Sequence, residues 1–250
     1  MRQALVAGNW KMHGTRESVR ALTESLLAGI DSVSGGEVAV CPPNVFLHLV
    51  GDLIAGSPLA LGAQNVCDHD DGAFTGETSV GMLSDCGCRY VIVGHSERRA
   101  LYAESDQLVA DKFRATQAAS LTPILCLGET RDEREAGHTR DVVERQLKAV
   151  IDTTGVDAFA DAVVAYEPVW AIGTGLTATP AQANEVHAFV RQCIAAESAM
   201  TAKRLRILYG GSVKADNAPA LFGQPDIDGG LIGGAALKAD DFLNICRASG

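Results

Sequence analysis

No stretch of this 250-residue chain approaches the roughly 18–20 consecutive apolar residues of a membrane-spanning helix, so a helical membrane protein is not expected. An excess of basic side chains is missing too. Lysine and arginine number 21 against 31 aspartates and glutamates, a formal charge of −10, which argues against the basic face of a nucleic-acid binder. An anionic ligand therefore has to be held by a local site of positive groups or backbone dipoles, not by a general field. The seven cysteines (41, 67, 86, 88, 126, 193 and 246) are odd in number and irregularly spaced. The lone C-x-C of Cys86 and Cys88 has no second pair and no nearby histidine, which disfavours zinc. Free thiols in a reducing cytosol are the simpler expectation. The opening MRQALVAGNW has one basic residue and a short apolar run, too little for a secretory signal. Linkers rich in Pro, Gly or Ser, charge blocks and a P-loop are also lacking. The expectation is a soluble, cytoplasmic protein with a single domain over 1–250, no metal, no cofactor, and neither a nucleic-acid nor a membrane partner.

What is present is a rhythm. Short runs rich in Val, Ile, Leu and Ala fall at 4–7, 38–41, 59–63, 90–93, 123–127, 163–166, 206–209 and 230–232. Most end in a polar or Gly-rich cluster. Apolar character without alternation marks strands covered on both faces. Between the runs lie stretches with helical spacing. Val19, Leu22, Leu26 and Ile30 fall three or four apart, and Val142, Val143, Gln146, Leu147 and Val150 form one apolar face. Pro180 suits a first helical turn with Thr179 as its cap. Eight strand–helix units favour a closed α/β barrel of parallel strands and outer helices, (β/α)8, over an open sheet.

In such barrels the chemistry sits at the C-terminal ends of the strands. The first run leads into Gly8-Asn9-Trp10-Lys11, the fourth into Gly94-His95-Ser96-Glu97, and the sixth into Glu167-Pro168-Val169-Trp170. The last two lead into Gly210-Gly211-Ser212 and Gly233-Gly234-Ala235. Taken singly, each is ordinary: a solvated lysine, a structural histidine, a polar strand end, a glycine turn. Together they bring one cation, one imidazole, one carboxylate and two glycine-rich turns to one mouth, a set suited to proton transfer on a phosphorylated substrate.

The segments AGNWKMHG (7–14), GHSERR (94–99), YEPVWAIGTGLTAT (166–179), YGGSVK (209–214) and GGLIGGAALK (229–238) resemble those of the triosephosphate isomerase family, as do AQNV and GAFTGE within 63–77 and CLGE at 126–129. They occur in family order across almost the whole chain. The resemblance implies the TIM barrel and an aldose–ketose isomerase that interconverts D-glyceraldehyde 3-phosphate and dihydroxyacetone phosphate through an enediolate. It implies Glu167 as the base, made more basic by apolar burial when Ile172 and Leu231 clamp it. His95, at a helix start, is implied as the neutral electrophile, with Lys11 and Asn9 stabilising the developing oxyanion. Backbone N–H groups near Gly173, Ser212, Gly233 and Gly234 are implied to surround the phosphate. Glu97 falls to the supporting hydrogen bonds.

The segment 168–179 reads as a lid, with Pro168 and Trp170 stiffening one hinge and Tyr209 latching the closed form. The stretch 65–78 resembles a loop by which Thr75 reaches a second subunit near Asn9 and Lys11, implying a homodimer. Two departures stand out: Leu176 where many members have Lys, and Ala236 where Ser is common. Cys126 reads as a packing residue beside the site. The alternatives are another phosphosugar barrel enzyme, such as an aldolase using Lys11 for a Schiff base, and a catalytically silent phosphate-binding barrel.

Overall fold

The computed structural model describes residues 2–172 and 177–250. Eight strands close into one parallel barrel in chain order: β1 (Ala4–Asn9), β2 (Gly36–Cys41), β3 (Leu59–Ala63), β4 (Cys88–Val93), β5 (Thr122–Leu127), β6 (Val163–Tyr166), β7 (Arg206–Tyr209) and β8 (Gly229–Ile232). β1 pairs with β2 on one side and β8 on the other, which completes the closure. All eight expected runs are strands. β3, β6 and β7 keep the expected bounds, while β1 continues to Asn9 and β2 begins at Gly36.

The lack of alternation has a direct cause. Leu5, Ala7, Ala39, Tyr90, Ile92, Ile124, Cys126, Val163, Ala165 and Leu208 point inward and fill the barrel. Val6, Val38, Val40, Val91, Val93, Leu125, Val164 and Ile207 belong to the outer shell, beneath the helices. Both faces are dry, so both must be apolar.

The helices bury the faces that their spacing prescribes. In the helix Thr139–Thr154, Val142, Val143, Gln146, Leu147 and Val150 are all buried. In Arg16–Gly29, Val19 and Leu26 are buried, and Thr15 caps the start by accepting from the Ser18 N–H. Thr179 caps Pro180–Glu197 in a reciprocal box with Gln182. Such a cap is worth about 1 kcal/mol over alanine. No described helix is long and apolar enough to cross a membrane.

The N-terminal end of the barrel is closed by charge. Glu37 accepts from the Tyr90 hydroxyl at 2.6 Å and from Arg206 at 2.8 Å, and Arg89 pairs with it as well. Burial opposes the Glu37 charge, but these partners outweigh it and hold its carboxyl below the ordinary value of 4.5. The opposite, C-terminal end is left open.

Candidate active site

The open end holds a cavity of about 760 Å³ lined by Asn9, Lys11, His95, Glu167, Ser212 and Gly233, among others. Ile172, Leu231 and Gly234 line the same space. They arrive from the ends of five strands, β1, β4, β6, β7 and β8. Asn9 is the last residue of β1, and His95 follows the Gly94 turn after β4. Glu167 follows β6 and stays tied to the sheet through its N–H, which donates to the Leu127 carbonyl at 2.8 Å.

His95 caps the short helix Ser96–Leu101. Its Nδ1 accepts the Glu97 backbone N–H at 3.2 Å. A ring nitrogen that accepts a backbone N–H carries no proton, so the remaining proton sits on Nε2. Nε2 lies 3.0 Å from Oε1 of Glu167. Both side chains are almost wholly buried.

The Glu167 carboxylate has further partners. Ser96 donates to Oε2 through its backbone N–H at 2.9 Å and to Oε1 through its hydroxyl at 3.0 Å. Two N–H donors and one O–H thus fix the carboxylate in place. Both oxygens are held by polar groups, while Ile172 and Leu231, the residues expected to clamp Glu167, line the same cavity.

Lys11 is fixed at three points. Its N–H donates to Asn9 Oδ1 at 3.0 Å, its carbonyl accepts from Gln64 Nε2 at 2.9 Å, and its ammonium donates to Glu97 Oε1 at 2.5 Å. Its φ of 51° lies in the left-handed region, an uncommon place for a residue with a side chain. Burial opposes the Glu97 charge, yet the hydrogen bond from Lys11 and the Lys11 charge hold its carboxyl below the ordinary value of 4.5.

Across the cavity, the backbone N–H groups of Ser212, Gly233 and Gly234 have no acceptor among the described residues. Gly234 opens the short 3-10 turn Gly234–Leu237. The stem of Lys11 passes close to Gly233, since a β-carbon there would lie 3.4 Å from Lys11 Cε. The Lys11 ammonium and these three amides therefore border one space, with Lys214 and Lys238 also on its lining, an arrangement that suits a compact anion.

With the fold and the site in place, comparison with known proteins is decisive. The sequence profile of the family described as triosephosphate isomerase matches residues 4–249. The chain is similar to the triosephosphate isomerase of Dechloromonas aromatica (strain RCB), at 62% identity over 249 residues covering all of both chains. It is similar also to those of Pseudomonas aeruginosa (strain LESB58), at 59%, and Pseudomonas putida (strain GB-1), at 57%, again over full length. The chain belongs to the triosephosphate isomerase family.

Members of the triosephosphate isomerase family interconvert triose phosphates, and this chain carries an open cavity in which to do so. Every site residue expected from the sequence within the described residues borders that cavity or one of its neighbours, except Tyr209 and Thr75. Gly173 and Leu176 lie outside the described residues. Tyr209 sits behind the glycine turn: a β-carbon at Gly211 would come within 2.2 Å of its hydroxyl, so only glycine fits there. That hydroxyl is buried with no partner of good geometry among the described residues. Burial pushes its pKa up to about 12, offset in part by the Ala178 N–H and by Arg134. Thr75 is exposed at the tip of a loop whose base is tied by a bond from the Cys67 N–H to the Thr78 carbonyl at 2.9 Å.

Cys126 is fully buried inside the barrel, its thiol raised well above 9.0 by burial and by the Glu167 charge, which fits packing and not nucleophilic attack. Four contributors were not legible as site residues. Ser96 holds the Glu167 carboxylate, and Gln64 holds the Lys11 carbonyl. Buried Glu129 accepts from Trp170 Nε1 at 3.0 Å and from Tyr166 and Arg134, anchoring the hinge that Trp170 was expected to stiffen. Arg134 also lies over the Trp170 ring at 4.3 Å. The signal for Ser96 was its place directly after His95, at the first helical position.

Proposed function

We propose that this chain interconverts D-glyceraldehyde 3-phosphate and dihydroxyacetone phosphate by proton transfer through an enediolate, as a single-domain barrel that works without a cofactor. The observation that carries the reading is the His95–Glu167 pair: a fixed Nε2–H donor 3.0 Å from a buried carboxylate oxygen. A substrate oxygen that takes the His95 hydrogen bond withdraws it from Glu167. The carboxylate, relieved of one donor, becomes more basic and removes the proton from the carbon beside the carbonyl.

The negative charge then builds on the substrate oxygen. His95 Nε2–H, the Lys11 ammonium and the Asn9 side chain stabilise it, each such preorganised donor contributing about 3 kcal/mol in the transition state. His95 passes a proton between the two enediolate oxygens, and Glu167 returns its proton to the neighbouring carbon. Glu97 keeps Lys11 in place. The free N–H groups of Ser212, Gly233 and Gly234 take the phosphate, with Gly173 as their counterpart outside the described residues. Closure brings Ile172 and Leu231 against Glu167, while the Glu129–Trp170 bond holds the hinge and Tyr209 latches the lid. Exclusion of water matters because an exposed enediolate phosphate eliminates its phosphate group.

The protein works as a cytoplasmic homodimer on this reading. A second cavity, of about 460 Å³, opens beside Lys11, Gln64, His95 and Glu97. The apolar Met12, Leu101 and Tyr102 border it and are largely exposed in the single chain. Thr75 of one subunit would fill this cavity on the other.

The Schiff-base alternative is disfavoured because the Lys11 amine is spent as a donor to Glu97 and offers no lone pair. Borohydride in the presence of substrate should trap nothing on Lys11. The main test is Glu167→Gln in a coupled assay that follows dihydroxyacetone phosphate through its NADH-dependent reduction. Turnover should fall by orders of magnitude while phosphate binding is nearly retained. Unchanged turnover would refute the mechanism.

A further inference from the structure

Gln146 lies on the outer helix Thr139–Thr154, beyond the barrel wall from the reacting centre, and it is buried. Its neighbours on that helix face, Val143 and Leu147, are apolar. A buried amide among them is costly unless its polar atoms are satisfied. Gln146 spends both on one residue: Oε1 accepts the Gly128 N–H at 2.8 Å, and Nε2 donates to the Gly128 carbonyl at 3.3 Å. Gly128 comes directly after β5, where the strand ladder no longer fixes the chain.

Gly128 in turn lies flush against the main chain of Glu167. A β-carbon on Gly128 would fall 1.8 Å from the Glu167 carbonyl oxygen, 2.7 Å from its carbonyl carbon and 3.3 Å from its Cα. On this side a cavity of about 200 Å³ separates the base from the helix, bordered by Ser96, Gly128, Gln146, Glu167 and Val169. The Glu167 N–H is held by the Leu127 carbonyl, and its own carbonyl lies against the Gly128 main chain. We infer that Gln146 is a positioning residue for the catalytic base, acting through the Gly128 peptide. This rests on Glu167 being the base.

An amide of this length offers an acceptor and a donor to the two peptide groups that flank Gly128; methionine matches its shape and offers no donor and only a weak acceptor. With the clamp gone, the Gly128 peptide can tilt and Glu167 loses its register with the carbon it deprotonates. A shift of order 1 Å costs about a hundredfold in rate, so a partial shift corresponds to about tenfold.

The experiment compares steady-state kinetics of Gln146→Met, Val143→Ala and Glu167→Gln, alone and with Gln146→Met combined with Glu167→Gln. Gln146→Met should lower kcat about tenfold with KM nearly unchanged, and should move the acid limb of the kcat pH profile. Val143→Ala, a cavity on the same helix face, should lower Tm without either effect. In the Glu167→Gln background, Gln146→Met should cost nothing further. A wild-type kcat and pH profile for Gln146→Met, beside a crippled Glu167→Gln, would overturn the inference alone. The same tenfold loss in both backgrounds would overturn it too. A fully active Glu167→Gln would instead remove the assignment of the base beneath it.

Discussion

His187 makes the stability of this protein depend on pH in a window that opens near 6.5, above the carboxylate range. It sits on the helix Pro180–Glu197 with no exposed surface. Its ring stands edge-on to Tyr166 at 5.9 Å, with Nδ1 3.2 Å from the Asp226 carbonyl, and Nε2 has no partner of good geometry among the described residues. Burial, aided by the Arg191 charge, pushes its pKa from 6.5 down to about 4 against the pull of the Asp226 carbonyl. Above pH 6.5 the ring is neutral whether the chain is folded or not, and its contribution is fully present. As pH falls below 6.5 the unfolded chain takes up a proton that the folded chain refuses, so folding weakens until the folded pKa is passed.

With those two values, the loss is roughly 3 kcal/mol when complete, most of it by pH 4.5. The assay is urea denaturation at fixed protein concentration, at pH 7.5, 5.5 and 4.5, for the wild type and His187→Phe. Phenylalanine keeps the ring stacking, and the Asp226 carbonyl keeps Arg191 as a donor. The variant should gain on the wild type by roughly 2–3 kcal/mol between pH 7.5 and 4.5. Parallel curves for the two proteins would refute the reasoning.

Two other outcomes are expected. Thr75→Arg should be monomeric by sedimentation and much less active, because the arginine cannot enter the cavity beside Lys11; a fully active dimer would count against the assembly. Glu97→Gln removes the charge that fixes the Lys11 ammonium, so kcat/KM in the coupled assay should fall about tenfold, with Tm little changed because Glu97 is half-exposed.

The barrel was legible because its strands are dry on both faces, which leaves continuous apolar runs in place of alternation. The strand ends were less so. Asn9 belongs to β1, yet its polar side chain ended the apparent run at Ala7, since what places it in the ladder is pairing with Cys41 of β2 and not its own character. The reactive residues could be placed because each directly follows a strand. Ser96, Gln64, Gln146 and Glu129 could not, since their partners are 71, 53, 18 and 41 positions away and such bonds impose no period on the sequence. Gln146 was in view throughout, counted as one step of an apolar helical face. The spacing predicted its burial correctly and hid what the amide does there.

A chain with a formal charge of −10 that takes a dianionic substrate has to concentrate its attraction in few groups, and Lys11 shows how. A free lysine gives up roughly 2 kcal/mol of rotamer entropy when a ligand fixes it, which cancels much of what one charge contributes. Here that entropy is lost on folding. The Asn9 side chain holds the Lys11 N–H, Gln64 holds its carbonyl and Glu97 its ammonium, so the residue is bound at both ends of its backbone and at its tip. These bonds also explain how a non-glycine residue stays at φ 51°, a conformation that costs about 1 kcal/mol or more and survives only where its surroundings over-determine it. The strain sets the direction of the side chain as it leaves the backbone, past Gly233 and into the cavity. With that charge already aimed, the Ser212, Gly233 and Gly234 amides opposite, which have no acceptor among the described residues, complete the anion's surroundings, and Lys214 and Lys238 border the same cavity. The acidic surface then has little to overcome, because the attraction acts at contact distance while the repulsion of exposed carboxylates is screened within about 10 Å at 0.1 M ionic strength.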